Sequence, residues 1–233
     1  MATSGTAAFN LDLTELVEEA FERAGSEMRT GYDLKTARRS LNLLFADWAN
    51  RGINMWTFEQ GSITLVPGTA TYNLPADTVD LLEHVIRTGA GSAATQADLT
   101  ITRISVSTYA TIPNKLQQAR PIQVWIERLQ DAPRITVWPV PDNSQTYTFV
   151  YWRLKRIQDA GGGVNTMDVP FRFIPAMVAG LSYYLALKIP GGETRLQVLK
   201  QQYDEAWDLA SSEDREKAAV RFVPRRQFVG GGI

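Results

Sequence analysis

The stretch that decides the fold is FRFIPAMVAGLSYYLALK, residues 171–188. Its apolar side chains are distributed around nearly the whole circumference of a helix instead of forming a single stripe. Such a helix is stable in water only when other elements cover all of its sides. The sequence therefore predicts that this segment is the central helix of a bundle, and that its partner helices come from elsewhere in the chain.

Three amphipathic segments are predicted to be those partners. Apolar residues recur at helical spacing over residues 12–24, where Asp12 and Glu15 also have the spacing of a capping box. A second helix is predicted over residues 33–50, and a third begins at about residue 194 and extends past residue 210. Because neither pair of helices buries its apolar faces alone, we expect both ends of the chain to form one bundle.

The hydrophobic period changes from helical to alternating in the middle of the chain. Alternating runs at intervals of about ten residues favour an antiparallel sandwich or small barrel over a doubly wound sheet. Residues 62–74, with Pro67 and Gly68 at the turn, are predicted to form a hairpin. Further strands are predicted over residues 79–87, 99–103, 123–128, 134–138 and 147–153.

The predicted fold class is therefore α+β. The chain is expected to contain a helical bundle formed by the N- and C-terminal helices, an inserted antiparallel β-sandwich or barrel-like domain, and an extended C-terminal tail. The predicted boundaries are 9–58 and 166–218 for the discontinuous helical domain, 59–157 for the inserted β-domain, and 219–233 for the C-terminal arm.

Composition excludes several kinds of chemistry. The 233 residues include no cysteine and one histidine, so disulfides, thiolate catalysis and multi-histidine metal sites are impossible. The 24 basic and 25 acidic residues leave a formal charge of −1, which favours neither a nucleic acid nor a membrane as partner. No apolar stretch approaches a membrane span and the N-terminus lacks a signal peptide, so we expect a soluble protein made in a reducing cytoplasm.

His84 is the only histidine that could act as a general base, with Asp80 or Glu83 to orient it. The favoured interpretation is an outward-facing residue of an alternating strand, because the sequence has no nucleophile-turn motif. The glycine-rich stretches 89–92 and 161–163 lack the Lys-Ser/Thr of a phosphate-binding loop and are predicted to be flexible loops. The sequence therefore predicts a protein that is not an enzyme and has no catalytic residue, cofactor or metal.

Two other classes of function remain as alternatives. The acidic pairs Glu18–Glu19 and Glu213–Asp214 could serve a carboxylate-based cell-wall hydrolase, although solvated helix faces are the favoured interpretation. Aromatic and arginine side chains of the β-region could form a carbohydrate or single-strand binding module, but strand alternation assigns about half of the aromatic residues to the core. These residues are Trp125, Trp138, Tyr147, Tyr151, Trp152, Arg128, Arg134 and Arg153.

The C-terminal arm is the strongest candidate binding segment. Its three arginines and two phenylalanines lie in a segment that has no acidic residue and is too short to fold alone. A disordered chain end is the alternative interpretation. The predicted partner-binding residues are Arg221, Phe222, Val223, Pro224, Arg225, Arg226 and Phe228.

An ordered set of motifs resembles the head-to-tail adaptor (connector) proteins of short-tailed bacteriophages, the podoviruses. The similarity covers about residues 9–220, and none of its motifs is catalytic. The stretches that carry it are FERAG (21–25), GYDLKTARRSLN (31–42), WANRGINMW (48–56), VPGTATYNLP (66–75), IPNK (112–115), WPVP (138–141) and VPFRF (169–173).

The resemblance implies a structural virion protein that forms a ring, usually of twelve copies, between the portal protein and the tail nozzle protein. Genomic DNA would pass through the lumen during ejection without sequence-specific contact. The helical domain and the arm would engage the portal, and the β-domain would face the nozzle or the outside. The implied location is the neck of the virion, after synthesis in the host cytoplasm; a tail nozzle or tubular tail component is the alternative in the same class.

Overall fold

The structure is a computed structural model that describes residues 3–51 and 55–214. Its helices are α1 (Leu13–Ala24), α2 (Gly31–Arg51), α3 (Val106–Ala110), α4 (Ile174–Ala186) and α5 (Leu196–Glu213). Its strands are β1 (Phe58–Thr64), β2 (Thr71–Asn73), β3 (Thr78–Thr88), β4 (Ala97–Thr100), β5 (Thr102–Ile104), β6 (Gln123–Glu127), β7 (Arg134–Trp138) and β8 (Tyr147–Lys155). The predicted α+β class is confirmed.

The first helix has the ends that its sequence predicts. The Asp12 carboxylate accepts a hydrogen bond from the Glu15 N–H at 2.8 Å, and the Glu15 carboxylate accepts one from the Asp12 N–H at 3.2 Å. The chain leaves the helix through Gly25, whose φ of 86° lies in the left-handed region that glycine adopts without steric cost. The capping box and the terminating glycine are both confirmed.

Helix α4 lies against α1, α2 and α5, and the side chains of these four helices share one hydrophobic core. The Trp48 indole N–H of α2 donates a hydrogen bond of 2.9 Å to the Tyr203 hydroxyl of α5 inside this core. The prediction of one continuous helix over residues 171–188 is wrong at both ends. A single 3₁₀ turn, Phe171–Phe173, precedes α4, since Pro175 suits the first turn of a helix and not its interior.

The strands form two four-stranded sheets, in the orders β1-β8-β3-β4 and β2-β7-β6-β5. Both sheets contribute side chains to a second hydrophobic core that is separate from the helical one. The inward-facing residues of this core include Ile86 and Phe149 from the first sheet and Val124 and Ile135 from the second. The alternation of apolar and polar residues along the strands therefore places the apolar side chains in this core.

Three predictions about strand pairing are wrong. The predicted hairpin at residues 62–74 does not form, because β1 pairs with β8 and β2 pairs with β7 in the other sheet. The single strand predicted over residues 99–103 is divided at Ile101, on either side of which β4 and β5 join different sheets. The β-region is not purely antiparallel either, since β5 runs parallel to β6.

A segment without regular structure, residues 156–170, lies across the helices after β8. The Asn42 side chain of α2 accepts a hydrogen bond from the Ala160 N–H at 2.8 Å, and Arg38 donates one to the Gly161 carbonyl at 3.1 Å. Ile157 and Met167 from this segment are buried in the helical core. The helices thus fix the path by which the chain returns from the sheets to α4.

The tight contact between α4 and its neighbours gives the first testable prediction. A Cβ atom on Gly180 would lie 2.9 Å from both Leu44 Cδ2 and Tyr203 Cε2, so Gly180→Val should overpack the core and destabilise the fold by about 1–3 kcal/mol. Chemical denaturation measures the change. Gly31→Val is the matched control, because a Cβ on Gly31 meets nothing within 4 Å. Equal free energies of unfolding for the two variants would contradict the close packing.

Candidate interaction site

The helical region carries an open groove, which we call the α1–α4 groove, with a cavity volume of about 560 Å³. Apolar side chains of Leu11, Ile174 and Val178 form its floor, and Phe9 in the preceding segment is 65% exposed beside it. Its remaining wall is the outer face of α1. Within the described residues, the groove therefore offers the partly or fully exposed apolar side chains of Phe9, Leu11 and Pro175 next to a helix face that is strongly charged.

Four glutamates line the α1 side of the groove: Glu15, Glu18, Glu19 and Glu22. They recur at i, i+3, i+4 and i+7, the spacing that places residues on one face of a helix. Glu15 is held by the capping box and Glu19 pairs with Arg23 at 2.7 Å. Glu18 and Glu22 have no ion pair within residues 3–51 and 55–214. The groove is suited to a segment that combines positive charges with apolar side chains.

A second cavity, of about 520 Å³, lies where β8 approaches the segment after it, and Arg153 is its most buried charge. The guanidinium donates to Glu59 at 2.7 Å, to Thr78 at 2.8 Å and to both carboxylate oxygens of Asp77. The hydrogen bond from Arg153 holds the pKa of the Asp77 carboxyl below its usual value. Glu59 and Asp77 neutralise this arginine, so the cluster joins β1 and β8 to the start of β3.

His84 does not face outward as predicted. The β3–β8 register shifts between Leu81 and Glu83, so that His84 lies on the same, core-facing side of β3 as Ile86. Its ring centre is 5.9 Å from that of Phe149, and both ring nitrogens are buried without a hydrogen-bond partner in the described part of the chain. Burial lowers the pKa of His84, since the charged imidazolium would lose its hydration.

The carboxylate pairs considered for acid–base chemistry have other roles in the structure. The Asp214 side chain is 3% exposed, pairs with Arg172 and accepts a hydrogen bond of 2.8 Å from the Met55 N–H. These contacts tie the end of α5 to the turns before β1 and α4. Glu18 and Glu19 both line the α1–α4 groove, where Glu19 is paired. The glutamates of the α1–α4 groove therefore suit binding of a positively charged segment.

The aromatic residues of the β-region divide between core and surface, as predicted. Tyr147 and Tyr151 are buried, whereas Trp125 stacks on Tyr109 of α3 with ring centres 5.0 Å apart. The Trp138 indole donates a hydrogen bond of 3.0 Å to the Asn114 carbonyl. The interleaved arginines pair with acidic side chains: Arg128 with Asp80, Arg134 with Glu127, and Arg153 with Asp77 and Glu59. These contacts favour structural roles over a stacking platform.

The predicted partner-binding residues of the C-terminal arm lie outside the described residues, so their role stays a prediction. The α1–α4 groove was not predicted from the sequence. The acidic row on α1 is visible in its i, i+3, i+4, i+7 spacing, but the floor is not, because it joins residues about 160 positions apart. A groove between two helices can be predicted only when it is known which helices pack side by side.

Within residues 3–51 and 55–214, no helix is long and apolar enough to cross a membrane, and no group of His, Asp and Glu side chains could hold a metal ion. The described surface also carries the α1–α4 groove, which combines charged and apolar side chains.

The chain belongs to the SU10 adaptor protein family, whose family model matches residues 11–226. This is a family of structural adaptor proteins of bacteriophages, so the chain is a phage structural protein that associates with other virion proteins. The predicted resemblance to phage head-to-tail adaptors is thereby confirmed. A comparison with curated proteins finds no match.

The buried histidine predicts how stability depends on pH. A folded-state pKa below the ordinary value of 6.5 means that the unfolded chain binds more protons, so wild-type stability should fall as the pH decreases from about 7 to about 5. His84→Leu removes the only histidine, and its free energy of unfolding should change less over the same interval. Denaturation curves at several pH values measure both slopes. Parallel curves for the two proteins would contradict the buried, neutral imidazole.

Proposed function

We propose that this chain is a head-to-tail adaptor that forms a ring joining the portal protein to the tail nozzle, with genomic DNA passing through the lumen during ejection. The family match over residues 11–226 carries the proposal, because it covers nearly the whole chain and names an adaptor. The formal charge of −1 is compatible with a conduit that does not hold DNA by its phosphates. Twelve copies are the number that the resemblance implies.

We propose further that the two hydrophobic cores correspond to two domains with different partners. The helical bundle, residues 9–58 and 166–218, would engage the portal, and the inserted β-sandwich, residues 59–157, would face the nozzle or the outside. Two observations support the division: the cores are separate, and the polar cluster around Arg153 lies near their boundary. Each partner could then bind to a rigid surface of its own.

The C-terminal arm, residues 219–233, is proposed as the main portal contact. Burial of Phe222 or Phe228 in a portal groove would contribute about 1.5–3 kcal/mol each. Exposed pairs between its arginines and portal carboxylates would add roughly 0–1 kcal/mol each. Pro224 restricts the backbone and so lowers the entropy lost when the arm becomes ordered.

Assembly is predicted to depend on the portal. The isolated chain should be a monomer or small oligomer, and rings should form on the portal, where each added subunit gains contacts with the portal and with its neighbours. Light scattering or native mass spectrometry of the protein, with and without purified portal, measures this. Stable large rings of the isolated protein at micromolar concentration would contradict the prediction.

Removal of the arm should weaken attachment to the portal without unfolding the protein. Deletion of residues 221–233 should leave the protein folded, because helices and sheets within residues 3–51 and 55–214 form the two hydrophobic cores described above, but should abolish or greatly weaken binding to the portal. Deletion of residues 230–233 alone, which removes Gly-Gly-Gly-Ile, is the matched control and should bind normally. If the longer deletion bound the portal as tightly as the intact chain, the arm would not be the contact.

A further inference from the structure

The α1–α4 groove and the C-terminal arm have complementary chemistry. The groove combines an apolar floor with four glutamates and one arginine, whereas the arm combines three arginines and two phenylalanines with no acidic residue. We propose that the α1–α4 groove binds the C-terminal arm of the same chain while the protein is free of the portal. The groove would then be an internal docking site for the segment that later binds elsewhere.

The position at which the described chain ends favours the same chain as the occupant. The end of α5 is fixed by the ion pair of Asp214 with Arg172, and Arg172 lies two residues before Ile174 in the groove floor. Six residues connect Asp214 to Arg221, and an extended chain spans roughly 3.3–3.6 Å per residue, about 20 Å in total. This exceeds about 16–19 Å, which is half the circumference of an α-helix 10–12 Å in diameter, so the arm can pass around the start of α4.

The unsatisfied features of the groove match what the arm supplies. Glu18 and Glu22 lack ion pairs within the described ranges, so arginines of the arm would neutralise them. Phe222 and Phe228 would pack against Phe9, which is 65% exposed, and against the accessible parts of Leu11 and Pro175. A short connection also gives the arm an effective concentration in the millimolar range, far above that of a second copy at micromolar protein.

This proposal does not depend on the portal as the final partner of the arm. If both proposals hold, the portal and the groove compete for one segment, and docking in the groove withholds the arm until a portal is present. Because the docking is measured on the isolated full-length chain, its failure would leave the portal proposal untouched. Failure of portal binding would equally leave the docking result intact.

Cysteine cross-linking tests the proposal on the full-length chain, which has no cysteine of its own. The test variant carries Pro175→Cys in the groove and Gln227→Cys in the arm, and diamide oxidises the two thiols to a disulfide. The control variant carries Gln227→Cys with Asp208→Cys, an exposed position on α5 six residues before Asp214. The groove pair should form an intramolecular disulfide about tenfold faster than the control pair, at a rate independent of protein concentration.

Two results would overturn the proposal. Equal rates for the two pairs would mean that the arm samples its surroundings without docking. Disulfide-linked dimers whose yield rises with protein concentration would mean that the occupant is the arm of a second copy.

Charge reversal tests the recognition itself and keeps the proposal falsifiable if one cysteine variant folds poorly. Glu18→Lys with Glu22→Lys, added to the groove pair, should slow disulfide formation to the control rate. Asp204→Lys with Asp208→Lys makes the same charge change on the exposed face of α5 and should leave the rate unchanged. An unchanged rate after reversal in the groove would overturn the proposal.

Discussion

The buried hydrogen bond between Trp48 and Tyr203 is the contact on which the rest of the structure depends. It joins residues 155 positions apart, one from each end of the chain, at the centre of the helical core. A buried indole N–H needs a partner, and α5 is the element that provides it. The guanidinium of Arg51 lies 4.9 Å from the Tyr203 ring, and burial raises the pKa of the tyrosine and keeps it neutral. The hydrogen bond between Trp48 and Tyr203 thus fixes the position of α2 relative to α5.

Because helices from both ends of the chain pack together, the path of the chain between α2 and α4 is constrained. The chain must leave the helices after α2 and return to them before α4, and it does so through β1 and β8, which pair along the full length of β1. The ion pairs of Arg153 with Glu59 and Asp77 reinforce that pairing at the end nearest the helices. A region of eight strands is therefore attached to the helices through two adjacent strands, which explains how it can have a separate core.

The sequence predicted the helices better than the sheets because helix signals are local. The capping box at Asp12 and the apolar stripe of α1 depend on residues at most a few positions apart. Strand partners depend on distant residues, so alternation located most strands but could not assign β1 and β2 to different sheets. His84 was placed on the wrong face for a related reason: one register shift in β3 reverses the facing of every later residue.

The buried polar groups and the exposed charges of this protein differ in their capacity to bind another molecule. Arg153, Asp214 and the Trp48 indole are buried polar groups, and each one has a partner within the fold. Such groups cannot be offered to another molecule without a large cost in stability. Exposed charge without an ion pair carries no such cost, and Glu18 and Glu22, which have none within residues 3–51 and 55–214, are of this kind. The structure thus combines buried polar groups that have partners inside the fold with exposed acidic groups on α1 that are available to pair with a positively charged partner.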